Sequence, residues 1–372
     1  MPNAQNVHLF FFPFFLVYFP QKLGRQGKQM VSEIYSGSKT AMAQVDALLL
    51  RMGIRRDGNL DYTCGIFDES GELVATGSCF HNTIRCLTVS GDRQGEGLLN
   101  EIVSHLMSVQ FSRGNTHVFL YTKCQSARFF ADLGFYEIAR VDGQLVFMEN
   151  RRTGFSDYCR KLAETKTEGL SSAIVMNANP FTKGHLHLVE TAAAESDTVH
   201  LFILSEEAGA IPFAVRKKLV QEGTAHLKNV ILHDSGPYII SSATFPSYFL
   251  KDEAAVSEAH AKLDLTVFGK IAEVLGITRR YVGEEPQSGV TALYNRIMQE
   301  KLPEVGVECR IIPRACEIET VISASTVRQA IHDGSLEKVA DMLPPSTLAY
   351  FTSPEAEPVI QAIQAQQNVI HH

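Results

Sequence analysis

At 372 residues the chain is too long for one ordinary hydrophobic core, and two domains are the natural expectation. Hydrophobic residues make up 45% and charged residues 20%, as in ordinary globular proteins, and a net charge of −7 gives no sign of the basic face that binds nucleic acid. The seven cysteines include no C-x-x-C pair, which argues against a disulfide framework or a zinc site and for free thiols in a reducing cytoplasm.

Leu9 to Phe19 reads L-F-F-F-P-F-F-L-V-Y-F. The run is too short to span a bilayer, and Pro13 interrupts it. No Lys or Arg precedes it and no small-residue cleavage site follows. Residues 1–29 are therefore expected to be a poorly ordered leader, an upstream start or a non-native extension, without stable membrane insertion. Lys39 to Met52 has helical spacing, and Tyr62–Phe67, Leu73–Phe80 and Thr83–Val89 read as strands. Ser90 to Gly97 is a glycine-rich break before a helix from Leu98 to about Phe111. Thr116–Thr122 reads as a strand, Gln125–Leu133 as a helix and Leu145–Glu149 as a strand. This segment, residues 30–150, forms a first domain, and the charged stretch 151–170 a linking helix.

From Ser171 strands and helices alternate. Strands are expected at Ala173–Met176, Val199–Leu204, Val230–His233, Leu265–Phe268, Tyr281–Gly283 and Glu308–Ile312. Helices are expected at His185–Ala194, Pro212–Glu222, Ile271–Leu275 and Thr291–Lys301, with the last helices opening at Ser325. The alternation implies a doubly wound parallel sheet over residues 171–350, with its ligand at the carboxyl ends of the strands where their order reverses. Residues 351–372 form a tail, loosely ordered after Pro354.

Two motifs carry the chemistry. In Asn179-Pro180-Phe181-Thr182-Lys183-Gly184-His185, a turn after a buried strand leads into a helix. Gly184 removes a side chain where a nucleotide approaches, and Thr182 and His185 add donors to the helix N-terminal amides. Farther on, Ile322-Ser323-Ala324-Ser325-Thr326-Val327-Arg328 places a hydroxyl at a helix start and an arginine one turn later. Alone, the first could be a capped helix with a surface histidine and the second an ordinary N-cap. Together, at opposite ends of one alternating array, they suit a nucleoside triphosphate cut between its α and β phosphates. Asn179, Phe181, Gly184, Ser325 and Gly283, the last in Tyr281-Val282-Gly283-Glu284-Glu285-Pro286, are the candidate nucleotide contacts. Lys183 and Arg216 are cations within possible reach of phosphate that are more often solvated surface charges.

Residues 171–350 resemble the HxGH nucleotidyltransferase superfamily, with Thr182, Gly184 and His185 as the first motif and Ile322, Ser323, Ala324, Ser325 and Arg328 as the second. Ala324 and Ser325 depart mildly from the usual I-S-S-T-x-x-R. Ile174 to His185, Tyr238 to Pro246 and Ile322 to Ser325 resemble the citrate lyase ligase family more closely. That resemblance implies a GNAT-like α+β N-terminal domain followed by a Rossmann-like catalytic domain, in an α/β protein. It implies ATP and Mg²⁺ as cofactors, and as partners acetate and the citrate lyase acyl-carrier subunit with its CoA-derived prosthetic group. The reaction implied is acetylation of that group's thiol through an acetyl-adenylate, giving AMP and pyrophosphate. Thr182, His185 and Arg328 would be catalytic, and no protein nucleophile or metal-ligating cluster is called for.

Asp92 to Gly97 resembles the pyrophosphate loop of GNAT acetyltransferases, which makes Arg93, Gly95 and Gly97 a candidate acyl or CoA loop. Asp92 stands where the family has Gln or Arg, and a carboxylate there repels pyrophosphate. Two other functions share these features. One is a small-molecule adenylyltransferase, acting on pantetheine phosphate or nicotinamide mononucleotide. The other is a docking protein with a decayed site, against which the intact motif residues argue.

Overall fold

The computed structural model describes residues 30–366 apart from 208, 240–244, 247, 249–252, 285–288, 314–315 and 318–319. The expected leader, residues 240–244 of the Tyr238–Pro246 stretch, and Glu285 and Pro286 lie outside the described residues.

The N-terminal domain runs β1 (Ser32–Glu33), α1 (Lys39–Arg51), β2 (Tyr62–Phe67), β3 (Leu73–Phe80), β4 (Thr83–Val89), α2 (Leu98–Ser112), β5 (Phe119–Thr122), α3 (Ala127–Asp132), β6 (Tyr136–Val141) and β7 (Leu145–Glu149). Its sheet has the order β1-β2-β3-β4-β5-β7-β6 and is mixed, because β4 and β5 run parallel. Their described pairing consists of Thr83 with Phe119 and Ile84 with Leu120. Just beyond, Cys86 has φ 52°, in the left-handed region, and the β3–β4 register shifts, so the two strands separate. One face of the sheet packs on α2 and α3 through Ile102, Leu106, Ala127 and Phe130.

The other face is covered by α1 over β3 and β4, through Val45, Leu48 and Leu49 against Leu73 and Cys86, and by the C-terminal domain over β5, β6 and β7. Phe119, Tyr121, Ile138 and Phe147 share one core with Tyr238, Ile239, Phe245, Leu263 and Phe268. Burying such side chains stabilises by about 1.5–3 kcal/mol each, so this joint is a hydrophobic core in its own right. A polar knot sits at its edge: the Glu149 carboxylate accepts from His117 Nε2 at 2.6 Å, Tyr238 Oη at 3.0 Å and the Phe155 N–H at 2.7 Å. Tyr248 Oη donates to the Tyr121 carbonyl at 2.8 Å and so ties a second C-terminal-domain tyrosine to β5.

After the linking helix α4 (Gly154–Ala163) come β8 (Ser171–Met176), α5 (Lys183–Glu195), β9 (Thr198–Ile203), α6 (Phe213–Gly223), β10 (Val230–Asp234), α7 (Glu253–Leu275), β11 (Ile277–Gly283), α8 (Gly289–Lys301) and β12 (Glu308–Ile312). A short hairpin, β13 (Cys316–Glu317) and β14 (Thr320–Val321), precedes α9 (Ala324–His332), α10 (Pro345–Phe351) and α11 (Glu357–Gln364). The second sheet has the order β10-β9-β8-β11-β12 and is parallel throughout, as expected. Its order reverses between β8 and β11, which makes the carboxyl ends of those strands the natural ligand crevice.

Two expectations are corrected. Leu265–Phe268 is not a strand but the middle of α7, whose Leu263, Leu265, Val267, Phe268, Ile271 and Ala272 are all buried. A helix covered on several sides loses its one-sided pattern and reads as a continuous apolar run. In place of a loose tail after Pro354, α11 buries Val359 and Ile363 in the core of the C-terminal domain.

His200 on β9 and His233 on β10 lie side by side in the second sheet, with Nδ1 and Nε2 2.9 Å apart. Burial pushes both down from 6.5 to about 4. Between those values the unfolded chain binds more protons than the folded one, so stability is fully present above pH 6.5 and is lost as pH falls toward 4. The loss for one ring is about 2 kcal/mol by pH 5. Urea midpoints measured from pH 7.5 to 5 should fall steeply, and His200→Leu should flatten that slope whatever its stability at pH 7.5. An unchanged slope would assign the pH dependence to other groups.

Candidate active site

The turn after β8 is shaped by its own side chains. Thr182 is the N-cap of α5 and is almost wholly buried. The His185 N–H donates to Thr182 Oγ1 at 3.4 Å, and the Thr182 N–H donates back to His185 Nδ1 at 3.1 Å. This is a reciprocal capping box in which a histidine replaces the usual Glu or Gln. Because Nδ1 accepts from a backbone N–H, the ring proton is on Nε2, and the imidazole offers a donor directed away from its own helix turn. Phe181 stacks on the ring, with centroids 5.9 Å apart and planes 16° apart. Phe181 is fully buried, so it positions His185 and does not face a ligand.

The second motif lies over the first. A Cβ on Gly184 would stand 3.6 Å from Ile322 Cγ2 and 3.7 Å from the Ile322 carbonyl. The N-terminus of α9 therefore meets the N-terminus of α5, and the positive ends of two helix dipoles lie together. Ser323 is the N-cap position of α9, and its hydroxyl lies 2.7 Å from that of Ser325. Arg328, 4% exposed, sends Nη1 to the Asn179 carbonyl at 2.6 Å, and burial lowers its pKa. The arginine thus ties the second motif to the first turn. Asn179 is buried beside it, with Oδ1 unsatisfied among the described contacts. Gly283 closes β11, the strand next to β8, with nothing within 4 Å of where a Cβ would stand.

The structure therefore gathers Asn179, Thr182, Gly184, His185, Ser325 and Arg328 into one site, with Gly283 ending the neighbouring strand. Arg93, Gly95 and Gly97 are not part of it. They follow the far end of β4, where Gly95 and Gly97 have φ of 89° and 84° and Gly97 caps α2. In that loop Arg93 is held by both oxygens of Glu96 at 2.9 Å and Asp92 bonds the Ser90 hydroxyl, so the loop presents two carboxylates.

Sequence reasoning misses Arg216. It is no surface charge but 2% exposed, with burial lowering its pKa. Nη1 donates to the Asn177 carbonyl and Oδ1, both at 2.8 Å, and to the Leu204 carbonyl at 2.9 Å; Nε donates to the Ile211 carbonyl and Nη2 to that of Glu206. A signal exists, since Arg216 shares a helix face with Phe213, Leu219 and Val220, and an arginine on an apolar face needs a buried set of acceptors. Among the described residues no group of three or more His, Cys, Asp or Glu could hold a metal ion. A Mg²⁺ carried by triphosphate oxygens and water does not need one.

Gly184 has room for a methyl at ordinary van der Waals distance, and its φ is not positive. Gly184→Ala should therefore fold as well as the parent, or better by up to about 1 kcal/mol from helix propensity. If phosphate approaches the backbone there, the same variant should raise the KM for ATP at least tenfold. Thermal melts and ATP kinetics on one sample check both, and unchanged kinetics would remove Gly184 from the site.

The citrate lyase ligase C-terminal domain family matches residues 171–351. The chain is 33% identical to citrate (pro-3S)-lyase ligase of Haemophilus influenzae over 328 residues, 86% of this chain and 98% of that protein. It is 38% identical to the Klebsiella pneumoniae ligase over 291 residues (77% and 85% of the two chains) and 35% identical to the Escherichia coli ligase over 334 residues (87% and 94%). Similar solved structures include Escherichia coli ElaA, at 15% identity and a TM-score of 0.30 over 33% of this chain and 99% of that one.

Proposed function

Since the chain belongs to the citrate lyase ligase family, we propose that it is an AMP-forming acid–thiol ligase that acetylates citrate lyase at the expense of ATP. The observation that carries the reading is the meeting of two helix N-termini with Thr182, His185 and Arg328 in a chain spanning 98% of a ligase relative. The relatives do not favour a small-molecule adenylyltransferase, since all three are named as ligases of one lyase.

The finer mechanism belongs to the same proposal. An acetate oxygen attacks the α-phosphorus of ATP, an O–P bond forms, and the bond to the β-phosphate breaks with its electron pair leaving on pyrophosphate. Charge gathers on phosphoryl oxygens, where the α5 amides, the Thr182 hydroxyl and His185 Nε2–H would donate. Arg328 and the α9 amides with Ser325 would hold the leaving pyrophosphate. Mg²⁺, when bound, would neutralise phosphate charge. The prosthetic-group thiolate of the acyl-carrier subunit then attacks the acetyl carbon, a C–S bond forms, and AMP leaves with the C–O electron pair. The protein contributes positioning and fixed charge rather than a covalent nucleophile. Cytoplasmic localisation is part of the reading and agrees with the free thiols at Cys64, Cys79, Cys86, Cys124, Cys159 and Cys309. Among the described residues no helix is long and apolar enough to cross a membrane.

Pyrophosphate release from Mg-ATP, measured with acetate and with deacetylated citrate lyase, tests the proposal. Acetate-dependent release with AMP formation and regained lyase activity is the expected result; turnover with a mononucleotide phosphate instead of acetate would overturn it. In His185→Ala that release should fall by about 10²–10³-fold. The lost half of the capping box should cost about 1 kcal/mol of stability, read by melting, so a folded but fully active variant would remove His185 from the chemistry.

A further inference from the structure

A cavity of about 380 Å³ lies between the two domains. Thr83, Phe119, Tyr121 and Phe147 form its N-terminal wall, at the point where β4 and β5 part. Ser205 and Glu206, after β9, and Pro237, after β10, form the opposite wall. Nucleotide in a doubly wound sheet sits where strand order reverses, here between β8 and β11. The ends of β9 and β10 are what that placement leaves for a second substrate, and the cavity is there.

Cavity and phosphate turn adjoin. Arg216 holds the carbonyls of Leu204 and Glu206, beside the cavity, and that of Asn177, leading into the turn. A Cβ on Gly209 would come within 2.7 Å of Asn179 Nδ2, so the segment after β9 rests directly on the turn.

The lining also says what fits. The surface it exposes is mostly apolar, from Phe80, Phe119, Tyr121, Phe147, Pro237 and Ile239, with His81, Asn82, Thr83 and Ser205 as neutral polar groups. Arg85 pairs with Asp57 at 2.8 Å, both buried, and the Glu206 and Glu207 carboxylates act on the buried guanidinium of Arg216. A mostly apolar lining whose charges act on one another within the protein suits an uncharged chain with a few amides. The volume is at the small end of ligand pockets, which run from roughly 300 to 1,000 Å³, and takes a slender chain rather than a nucleotide.

We propose that this interdomain cavity binds the pantetheine-type arm of the acyl carrier and delivers its sulfur to the acetyl group held at the phosphate turn. The inference rests on the ligase reading and assigns the N-terminal domain a role as the second wall of the thiol site. The candidate CoA loop at Arg93 to Gly97 follows the other end of β4, roughly 20 Å away along the strand, and has no part in it.

Thr83→Trp places a large side chain in the cavity from a half-buried strand position. Acetate-dependent ATP–pyrophosphate exchange should stay within about twofold of the parent, while acetyl transfer to citrate lyase and to free pantetheine should fall at least tenfold. Equal loss of both, in a variant with a native melting transition, or unimpaired transfer, would overturn the proposal. The chain contains no tryptophan, so Phe80→Trp gives a single reporter on the cavity wall. Its emission should change saturably with pantetheine and not with acetate; no response to pantetheine would also overturn the proposal. If the parent protein shows no acetate-dependent exchange, the ligase reading fails, and the Phe80→Trp titration still decides whether the cavity binds the arm.

Discussion

The buried guanidinium of Arg216 is the constraint on which the rest of the site depends. It receives five backbone or side-chain oxygens from the segments after β8 and β9, which would otherwise be loops with nothing in common. A charge with 2% exposure persists only because carbonyl dipoles replace its hydration. The converse matters as much: those carbonyls point inward and have to be satisfied, so the arginine and the loop conformations require each other. Through Asn177 it sets the chain direction entering the turn at Asn179 to His185, and through Glu206 it sets the wall of the interdomain cavity. Truncating it would leave several buried acceptors unmatched, each costing about 1–3 kcal/mol.

Chemistry that depends on near neighbours in the chain is legible in the sequence. A glycine and a hydroxyl at a strand-to-helix turn dictate a cap, and the cap is present at Thr182 with His185 as its reciprocal partner. The alternation after Ser171 dictates a parallel sheet, and the order β10-β9-β8-β11-β12 follows the doubly wound rule. What is not legible depends on residues far apart in the chain. Nothing near Glu149 foretells that its carboxylate joins His117 and Tyr238. Phe181 reads in sequence as a nucleotide contact, yet its neighbourhood is set by Gly223, where an added Cβ would stand 2.5 Å from the Phe181 ring. Leu265–Phe268 reads as a strand for the same reason, because the periodicity of α7 is erased by packing against both its own domain and β6.

The joint between domains is therefore more than a linker. Most two-domain chains meet across a modest polar surface and move against one another. Here β5, β6 and β7 give one face to Tyr238, Phe245 and α7, and aromatic rings meet across the joint: Tyr121 contacts Phe245 edge-on at 5.8 Å, and Phe119 meets Tyr238 edge-on at 6.0 Å. A core of this kind behaves as one packed unit. The separation of β4 from β5, which would expose a gap in an isolated domain, opens instead onto a chamber that the second domain closes.

That closure bears on the chemistry. An acyl-adenylate is hydrolysed by any water that reaches its carbonyl, so a ligase has to bring a thiol to the intermediate without admitting solvent. A thiol on a long flexible arm meets this demand if its path is lined by apolar side chains and its end is fixed near the reacting carbon. The aromatic wall of β5 and β7 supplies the lining, and the Arg216-held loops supply the fixed end. The parallel-sheet domain alone would present the ends of β9 and β10 to water, as suits a second substrate that is small and soluble. Adding a sheet that covers those ends suits an acceptor tethered to another protein, because the covering wall excludes water and narrows the approach to a single chain. On this argument the N-terminal domain owes its place to the geometry of the thiol path and not to a glycine loop on its far side.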